Sequence, residues 1–163
     1  MASYGVSYLG LRGPPAEENK MTKPALFPIP REIIPLEGVF SVPQAWWIDC
    51  EDKELLEGIG VWRENLAIKT AESTSKANLV IFKDVTIHTD GYRIEMEEGK
   101  IFIFAGQADG IFRALAKIWQ FFRFEKPGNT LPCLKISDRP MLKRRGFMLD
   151  ISRCKVPTME ELF

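Results

Sequence analysis

The sequence predicts an α+β domain in which a mostly antiparallel sheet carries two helices on one face. Three observations lead to this class. Residues 92–97 alternate between apolar and charged side chains and precede a glycine turn at Gly99 and a second apolar run, which is typical of a β-hairpin. Segments 51–68 and 107–123 carry apolar residues at spacings of three and four, as amphipathic helices do. Strand-like segments surround both helices along the chain, which favours a two-layer arrangement.

Shorter patterns predict the remaining strands. Residues 26–38 contain three prolines, so this lead-in is expected to be polyproline-like or to lie at a sheet edge. Short strands are expected at 39–42 and 45–48. The apolar run at 78–82 is typical of a strand buried on both faces. A further strand at 131–136 follows the second helix.

The two predicted helices differ in how clearly their patterns define them. Segment 51–68 opens with acidic residues, as the helix dipole favours, but Gly58 and Gly60 each weaken a helix by about 1 kcal/mol relative to alanine. Segment 107–123 has a single apolar stripe and ends before Pro127 and Gly128. This stripe is expected to pack against the sheet; it consists of Ile111, Phe112, Leu115, Ile118, Trp119 and Phe122.

Composition excludes several classes of protein. Lysine and arginine number 22, as do aspartate and glutamate, so the zero net charge gives no electrostatic reason to expect nucleic acid or an anionic membrane as partner. Three widely spaced cysteines indicate reduced thiols rather than a disulfide framework or a zinc motif. No apolar run is long enough to span a membrane, so no membrane partner is expected. Residues 1–24 are expected to be a flexible leader, with Met21 a second possible start. They lack the pattern of a signal peptide, which favours the cytoplasm.

Few residues carry a chemical signal. The single histidine, His88, is expected to be a surface loop residue rather than a general base, and the basic cluster at 143–145 is expected to be solvated. Asp150 and Arg153 differ because they follow an apolar strand, 146–151, and precede a helix start whose Thr158 and Glu161 form a capping box. Polar residues at the carboxyl end of such a strand build the active sites of (β/α)₈ barrels, where they can hold sugar hydroxyls. The residues by themselves favour a structural salt bridge between Asp150 and Arg153 over this role.

The chain resembles glycoside hydrolase family 20, the β-N-acetylhexosaminidase type. The specific part is RGFMLDISR at 145–153, which follows LPCLKISDRP at 131–140. The helix GIFRALAKIWQ at 110–120, the hairpin before it and the lead-in LFPIPREIIPLEGVFSV at 26–42 also match the family's pattern.

This resemblance implies a domain organisation and a mechanism. Residues 25–140 would be the family's non-catalytic α+β domain, and 141–163 the first strand of a truncated (β/α)₈ barrel, since a whole barrel needs roughly 250 residues. In the full-length protein, the 2-acetamido group of a terminal N-acetylhexosamine would attack its own anomeric carbon, a route called substrate-assisted retention. The family's Asp-Glu pair would lie past residue 163, so this chain alone is expected to be inactive, with no catalytic residue, cofactor or metal.

The resemblance also implies roles for two residues. Arg153 would contact hydroxyls of the terminal N-acetylhexosamine, and Asp150 would orient its neighbours. The family usually has histidine after this arginine, whereas this chain has Cys154, which leaves the identity of the sugar open. The expected partners are the missing catalytic barrel and N-acetylhexosaminide glycans.

Two other hypotheses remain open from the residues. The first is a stand-alone carbohydrate-binding module, because Trp46 and Trp47 would point to opposite faces of a strand and one of them can stack on sugar. The second is a partner-binding α+β domain unrelated to sugars. In addition, an unpaired apolar strand within 141–163 would be prone to association, so a dimer through this segment is a further expectation.

Overall fold

The computed structural model describes residues 26–60, 62–124 and 130–142, together with residues 144, 146, 158 and 160. Within these residues the chain forms seven strands and three α-helices. No helix among them is long and apolar enough to cross a lipid bilayer. In chain order the elements are β1 (Glu32–Ser41), β2 (Trp46–Cys50), α1 (Lys53–Leu56), α2 (Trp62–Asn65), β3 (Ile68–Thr70), β4 (Leu79–Lys83), β5 (Tyr92–Glu97), β6 (Lys100–Ala105), α3 (Ala108–Phe124) and β7 (Thr130–Asp138).

The strands form one mixed sheet in the order β1-β7-β5-β6-β4-β2-β3. The prediction of a mostly antiparallel sheet is therefore wrong. The pairs β1–β7, β7–β5 and β5–β6 are antiparallel, but β6–β4, β4–β2 and β2–β3 are parallel. A parallel pair needs a crossover connection, and α1 and α2 supply one between β2 and β3. Sequence periodicity identifies strands but not their direction, which accounts for the error.

The first predicted helix is broken, so the expectation of two helices is also wrong. Asp52 caps α1 by accepting hydrogen bonds from the backbone N–H groups of Glu54 at 2.9 Å and Leu55 at 3.3 Å. A 3₁₀ turn, Glu57–Ile59, then separates α1 from α2. A Cβ at Gly58 would lie 2.1 Å from the carbonyl oxygen of Ala108, so glycine is needed where this turn meets α3. Of the two glycines that weaken the helical pattern, Gly58 lies within this turn and Gly60 directly follows it.

The other predicted elements agree more closely with the structure. Helix α3 spans Ala108–Phe124, within one residue of the prediction, and the hairpin forms β5 and β6. The proline-rich lead-in contributes to β1, an edge strand whose register shifts between Pro35 and Val39. Proline is tolerated at a sheet edge because its missing N–H need not pair with a neighbouring strand.

The core lies between the sheet and the helix layer. Strands β5 and β6 bury alternate side chains such as Ile94, Ile101 and Ile103, and α3 packs against both strands. Helix α3 also contacts α1 and α2, so the helices form one layer. Trp46 extends the core, with its ring 5.2 Å from that of Phe122.

Candidate functional site

The residues predicted to contact substrate lie outside the part of the chain that the structure describes. These are Arg153 and its supporting residue Asp150; only Gly146 of the predicted barrel strand is described. The proposed dimer segment and the leader fall largely in the same category. Near the predicted helix start, Glu160 is helical, and its own backbone N–H together with the Thr158 hydroxyl lowers the pKa of the Glu160 carboxyl. The roles of Arg153 and Asp150 therefore remain predictions.

The described residues do show how the last described strand of the sheet ends before that segment. Strand β7 finishes at Asp138, whose carboxylate joins three parts of the chain. Its Oδ1 accepts the backbone N–H of Arg139 at 2.8 Å and that of Arg31 at 3.4 Å. Its Oδ2 accepts the hydroxyl of Tyr92 at 3.4 Å. We call Arg31, Tyr92, Asp138 and Arg139 the junction cluster. It holds the lead-in, β5 and β7 together where the chain leaves the sheet.

The electrostatics of the junction cluster keep Tyr92 protonated. Tyr92 is only 3% exposed. Burial, followed by the negative charge of Asp138, raises the pKa of the Tyr92 phenol far above its ordinary value. The phenol is therefore a hydrogen-bond donor at any physiological pH, and Asp138 is its acceptor. This pairing is structural, because a tyrosine so reluctant to ionise is a poor general base.

Helix α3 begins directly against Gly91, the residue before Tyr92 of the junction cluster. A Cβ at Gly110 would lie 2.3 Å from the carbonyl oxygen of Gly91 and 2.9 Å from Cβ of Ala105. No other residue allows so close an approach of the helix to the residue that precedes β5. Gly110 is the first residue of the family-like helix motif. This close contact explains why that motif begins with glycine.

Helix α3 also holds the lead-in. Gln120 Oε1 accepts the backbone N–H of Phe27 at 3.1 Å, and Lys117 Nζ donates to the carbonyl oxygen of Pro28 at 2.5 Å. Lys117 is 6% exposed, and this burial lowers the pKa of its ammonium. A hydrogen-bonded, buried lysine fixes the lead-in on α3. The backbone N–H of Arg31, in the same segment, donates to Asp138.

Two clefts flank the junction cluster. One, of about 310 Å³, is lined by junction residues with Ile87 and His88. The other, of about 610 Å³, is lined by charged residues of both signs and by the exposed apolar residues Met141 and Leu142. His88 lies between the clefts and is exposed, and its Nδ1 accepts the backbone N–H of Asp90 at 3.3 Å. This supports the prediction of a loop histidine. Clefts of this composition suit a packing surface better than a catalytic centre.

An aromatic surface lies on the helix layer. The ring of Trp62 in α2 is 5.6 Å from that of Phe112 and 6.2 Å from that of Trp119, both in α3. Phe112 is 44% exposed and Trp119 37% exposed, so only part of the predicted stripe packs against the sheet. The indole N–H of Trp62 is buried and has no hydrogen-bond partner within the described residues. We call these three residues the helix-layer aromatic surface.

The adjacent tryptophans separate as their strand alternation predicts. Trp46 is buried between Phe40 and Phe122, whereas Trp47 lies on the opposite face, where the Lys69 ammonium is 5.4 Å from its ring centroid. Of these two residues, Trp47 is the partly exposed one. Because Lys69 lies over that ring, Trp47 is a poor stacking surface for a sugar.

The thiols do not form a reactive or metal-binding group in the described residues. Cys50 and Cys133 are both free, and burial raises the pKa of each thiol. Within the same residues, no three histidine, cysteine or acidic side chains come close enough together to hold a metal ion.

The family of the chain follows from comparison with known proteins. The family model for glycosyl hydrolase family 20, domain 2, matches residues 23–139, well over half of the chain. The chain belongs to glycosyl hydrolase family 20. The matched range ends one residue past Asp138, so the junction cluster lies at the end of that range.

Solved structures have the same fold. A β-N-acetylhexosaminidase from Bacteroides fragilis aligns with a TM-score of 0.63 and 25% identity, over 72% of this chain and 25% of that chain. A chitobiase from Flavobacterium johnsoniae aligns with a TM-score of 0.62 and 22% identity, over 81% of this chain and 23% of that chain. An exo-β-N-acetylglucosaminidase from Vibrio harveyi aligns with a TM-score of 0.56 and 21% identity, over 83% of this chain and 23% of that chain. The chain therefore spans about a quarter of the length of these enzymes and corresponds to their accessory domain rather than to a whole hydrolase.

Several structural contacts of the family 20 domain were missed by sequence reasoning. Asp138 and Gln120 stand in the motifs that carry the resemblance, so their positions are visible in the sequence. Their partners Tyr92, Arg31 and Phe27 lie many residues away along the chain. No local pattern connects these positions, and their roles emerge only from the fold.

Proposed function

We propose that this family 20 domain is the non-catalytic accessory domain of a β-N-acetylhexosaminidase whose (β/α)₈ barrel begins just after residue 140. The observation that carries the proposal is the junction cluster. Asp138 closes the sheet by joining the lead-in, β5 and β7, and the family match ends beside it. The segment that follows, RGFMLDISR, has the pattern of a first barrel strand with polar residues at its carboxyl end.

In this proposal the substrate is a glycan with a terminal N-acetylhexosamine. The 2-acetamido oxygen attacks the anomeric carbon, and the glycosidic oxygen leaves with a proton from a carboxylic acid of the barrel. Water then opens the cyclic intermediate with retention of configuration. Arg153 donates charge-assisted hydrogen bonds to hydroxyls of the terminal sugar, and Asp150 orients its neighbours on the same strand. The acid and its partner carboxylate belong to the sequence beyond residue 163.

The partner within the full-length protein is the barrel itself. We propose that the helix-layer aromatic surface packs against it. Trp62, Phe112 and Trp119 expose a connected aromatic area, and tryptophan and phenylalanine are enriched at protein interfaces. A barrel presents helices on its outside, so the contact would join two helix layers.

The test compares the longer product of the same reading frame with the 163-residue chain. Both proteins are assayed on p-nitrophenyl β-glycosides of N-acetylglucosamine and N-acetylgalactosamine. We expect activity in the longer protein and none in the short chain. Activity of the short chain would contradict its non-catalytic role, and inactivity of the longer protein on both glycosides would contradict the assignment of its parent.

A variant of the longer protein tests Arg153. Hydrogen bonds to a charged group contribute about 1.5–3 kcal/mol, so Arg153→Ala is expected to lower kcat/KM by roughly 10- to 150-fold. Lys155→Ala removes a cation two residues away and serves as the matched control, with kcat/KM expected to be unchanged. Equal losses in both variants would refute the specific role of Arg153.

A further inference from the structure

A third cleft lies on the sheet at the carboxyl ends of the parallel strands β2 and β4. Its volume is about 490 Å³, within the range of small-ligand sites. In open sheets with parallel strands, ligands commonly bind outside the carboxyl ends of those strands. We call it the sheet cleft; its lining includes Asp49, Asp52, Thr74, Phe82 and Lys83.

One aromatic ring, that of Phe82, lies in the lining of the sheet cleft. Phe82 was expected to be buried on both faces with its neighbours, yet it is 44% exposed, while Val80 beside it is buried. The Phe82 ring lies 5.3 Å from that of Phe104 and 6.4 Å from that of Phe102, and both interplanar angles are 22°. These rings are stacked on one another, and Phe82 is the one among them that lines the cleft. The Arg93 guanidinium covers Phe104 at 4.1 Å from its centroid, which leaves Phe82 as the open ring.

The rim of the sheet cleft is polar and held in place. The Thr74 hydroxyl donates to Asp49 Oδ2. The Lys83 ammonium lies 2.8 Å from Asp52 Oδ2 and 3.0 Å from Glu54 Oε2. Glu51 also lines the cleft, so carboxylates outnumber ammonium groups and the rim disfavours an anionic ligand. Among the residues described, no three of these side chains come close enough together to hold a metal ion, so the carboxylates do not converge on one point.

We propose that the sheet cleft binds an uncharged saccharide, with one pyranose ring stacked on Phe82. A flat aromatic face suits the apolar C–H face of a pyranose, and fixed carboxylate, hydroxyl and ammonium groups suit its hydroxyls. A protein partner fits less well, because a stable interface needs about 800 Å² per partner and this surface offers one open ring beside two half-buried ones.

The cleft lies at the same end of the sheet as the junction cluster. In the strand register Asp138 pairs with Tyr92, Tyr92 with Ala105, and Ala105 with Lys83. Three strand spacings separate the two features, about 14 Å along the sheet. Every residue that lines the cleft belongs to the described part of the accessory domain, so binding there can be tested without an active barrel.

Calorimetric titration of the 163-residue chain tests this proposal. The probe is triacetylchitotriose, an uncharged trisaccharide, and trigalacturonate is its anionic counterpart. We expect heat of binding with the first sugar and none with the second. Phe82→Ala should weaken binding at least about tenfold, and Asp49→Asn should weaken it by a smaller factor because the amide keeps the shape but loses the charge. Phe124→Ala, an exposed phenylalanine at the end of α3, is the matched control and should change Kd by less than about twofold.

Each result separates this proposal from the proposed function. No binding of triacetylchitotriose, equal binding of trigalacturonate, or full binding by Phe82→Ala would overturn the saccharide site while leaving glycosidase activity of the longer protein untouched. An inactive longer protein together with saccharide binding by the short chain would support the cleft and contradict the enzyme assignment. Circular dichroism of each variant confirms that lost binding is not lost folding.

Discussion

Replacing Asp138 tests whether the junction cluster stabilises the domain. Asp138→Ala removes the hydrogen bond from Arg139 at 2.8 Å and the two longer contacts at 3.4 Å from Arg31 and Tyr92. The short bond contributes about 1 kcal/mol and each long one about half as much, so the free energy of unfolding should fall by about 2 kcal/mol. For a protein of this size, that loss lowers Tm by about 6 °C.

A conservative variant separates geometry from charge. In Asp138→Asn the amide oxygen can accept both backbone N–H groups, and the amide nitrogen can donate to the oxygen of the Tyr92 hydroxyl. All three contacts survive without a negative charge, so the expected loss is only about 0.5 kcal/mol. Tyr92→Phe removes one contact and should couple to Asp138→Ala by about 0.5 kcal/mol in a double-mutant cycle.

Urea unfolding followed by tryptophan fluorescence measures these differences, since the chain has four tryptophans. A loss below about 0.5 kcal/mol for Asp138→Ala would refute the stabilising role of the cluster. If Asp138→Asn destabilises as much as Asp138→Ala, the carboxylate acts through its charge rather than through the three contacts.

Two further predictions concern the helix layer and acid stability. In the longer protein, Phe112→Glu should lower Tm and split a single calorimetric transition in two. The same substitution should change the Tm of the 163-residue chain little, because Phe112 is 44% exposed there. Equal effects in both proteins would contradict packing of the helix-layer aromatic surface against the barrel. For Asp84, hydrogen bonds from Thr86 and then the charge of Arg93 lower the pKa of the carboxyl below 3.8. Its stabilising contribution is therefore present above that value and lost as the pH falls through the lowered pKa. Urea titrations should show wild type more stable than Asp84→Asn at neutral pH, with the difference shrinking as the pH falls below 3.8. A difference that persists in acid would refute this linkage.

Local patterns were sufficient for the hairpin and for α3. Strand alternation over 92–97 and the helical stripe of 107–123 concern residues close together in the chain, where backbone geometry sets which side chains share a face. Trp46 and Trp47 follow the same rule, because successive side chains of a strand point to opposite faces. The motif at 145–153 also indicated the family, and the match over 23–139 confirmed it.

Other features required the tertiary structure. The glycines in 51–68 warned of a weak helix, but the contact between Gly58 and the start of α3 joins residues fifty positions apart. The parallel pairing of β2, β3, β4 and β6 depends on crossover connections, which periodicity does not encode. Phe82 lies in an apolar run typical of a buried strand, and only the absence of a layer over that face among the described elements leaves its ring exposed.

The sequence by itself determined the α+β class, the main helix, the hairpin and the family, because these follow from short-range periodicity and from motifs readable in order. Only the tertiary structure decided the strand directions, the split first helix, the partners of Asp138 and the exposed Phe82 ring in the sheet cleft. These depend on hydrogen bonds and packing between residues far apart in the chain, whose pairing is selected by the burial of the whole core rather than by any local segment.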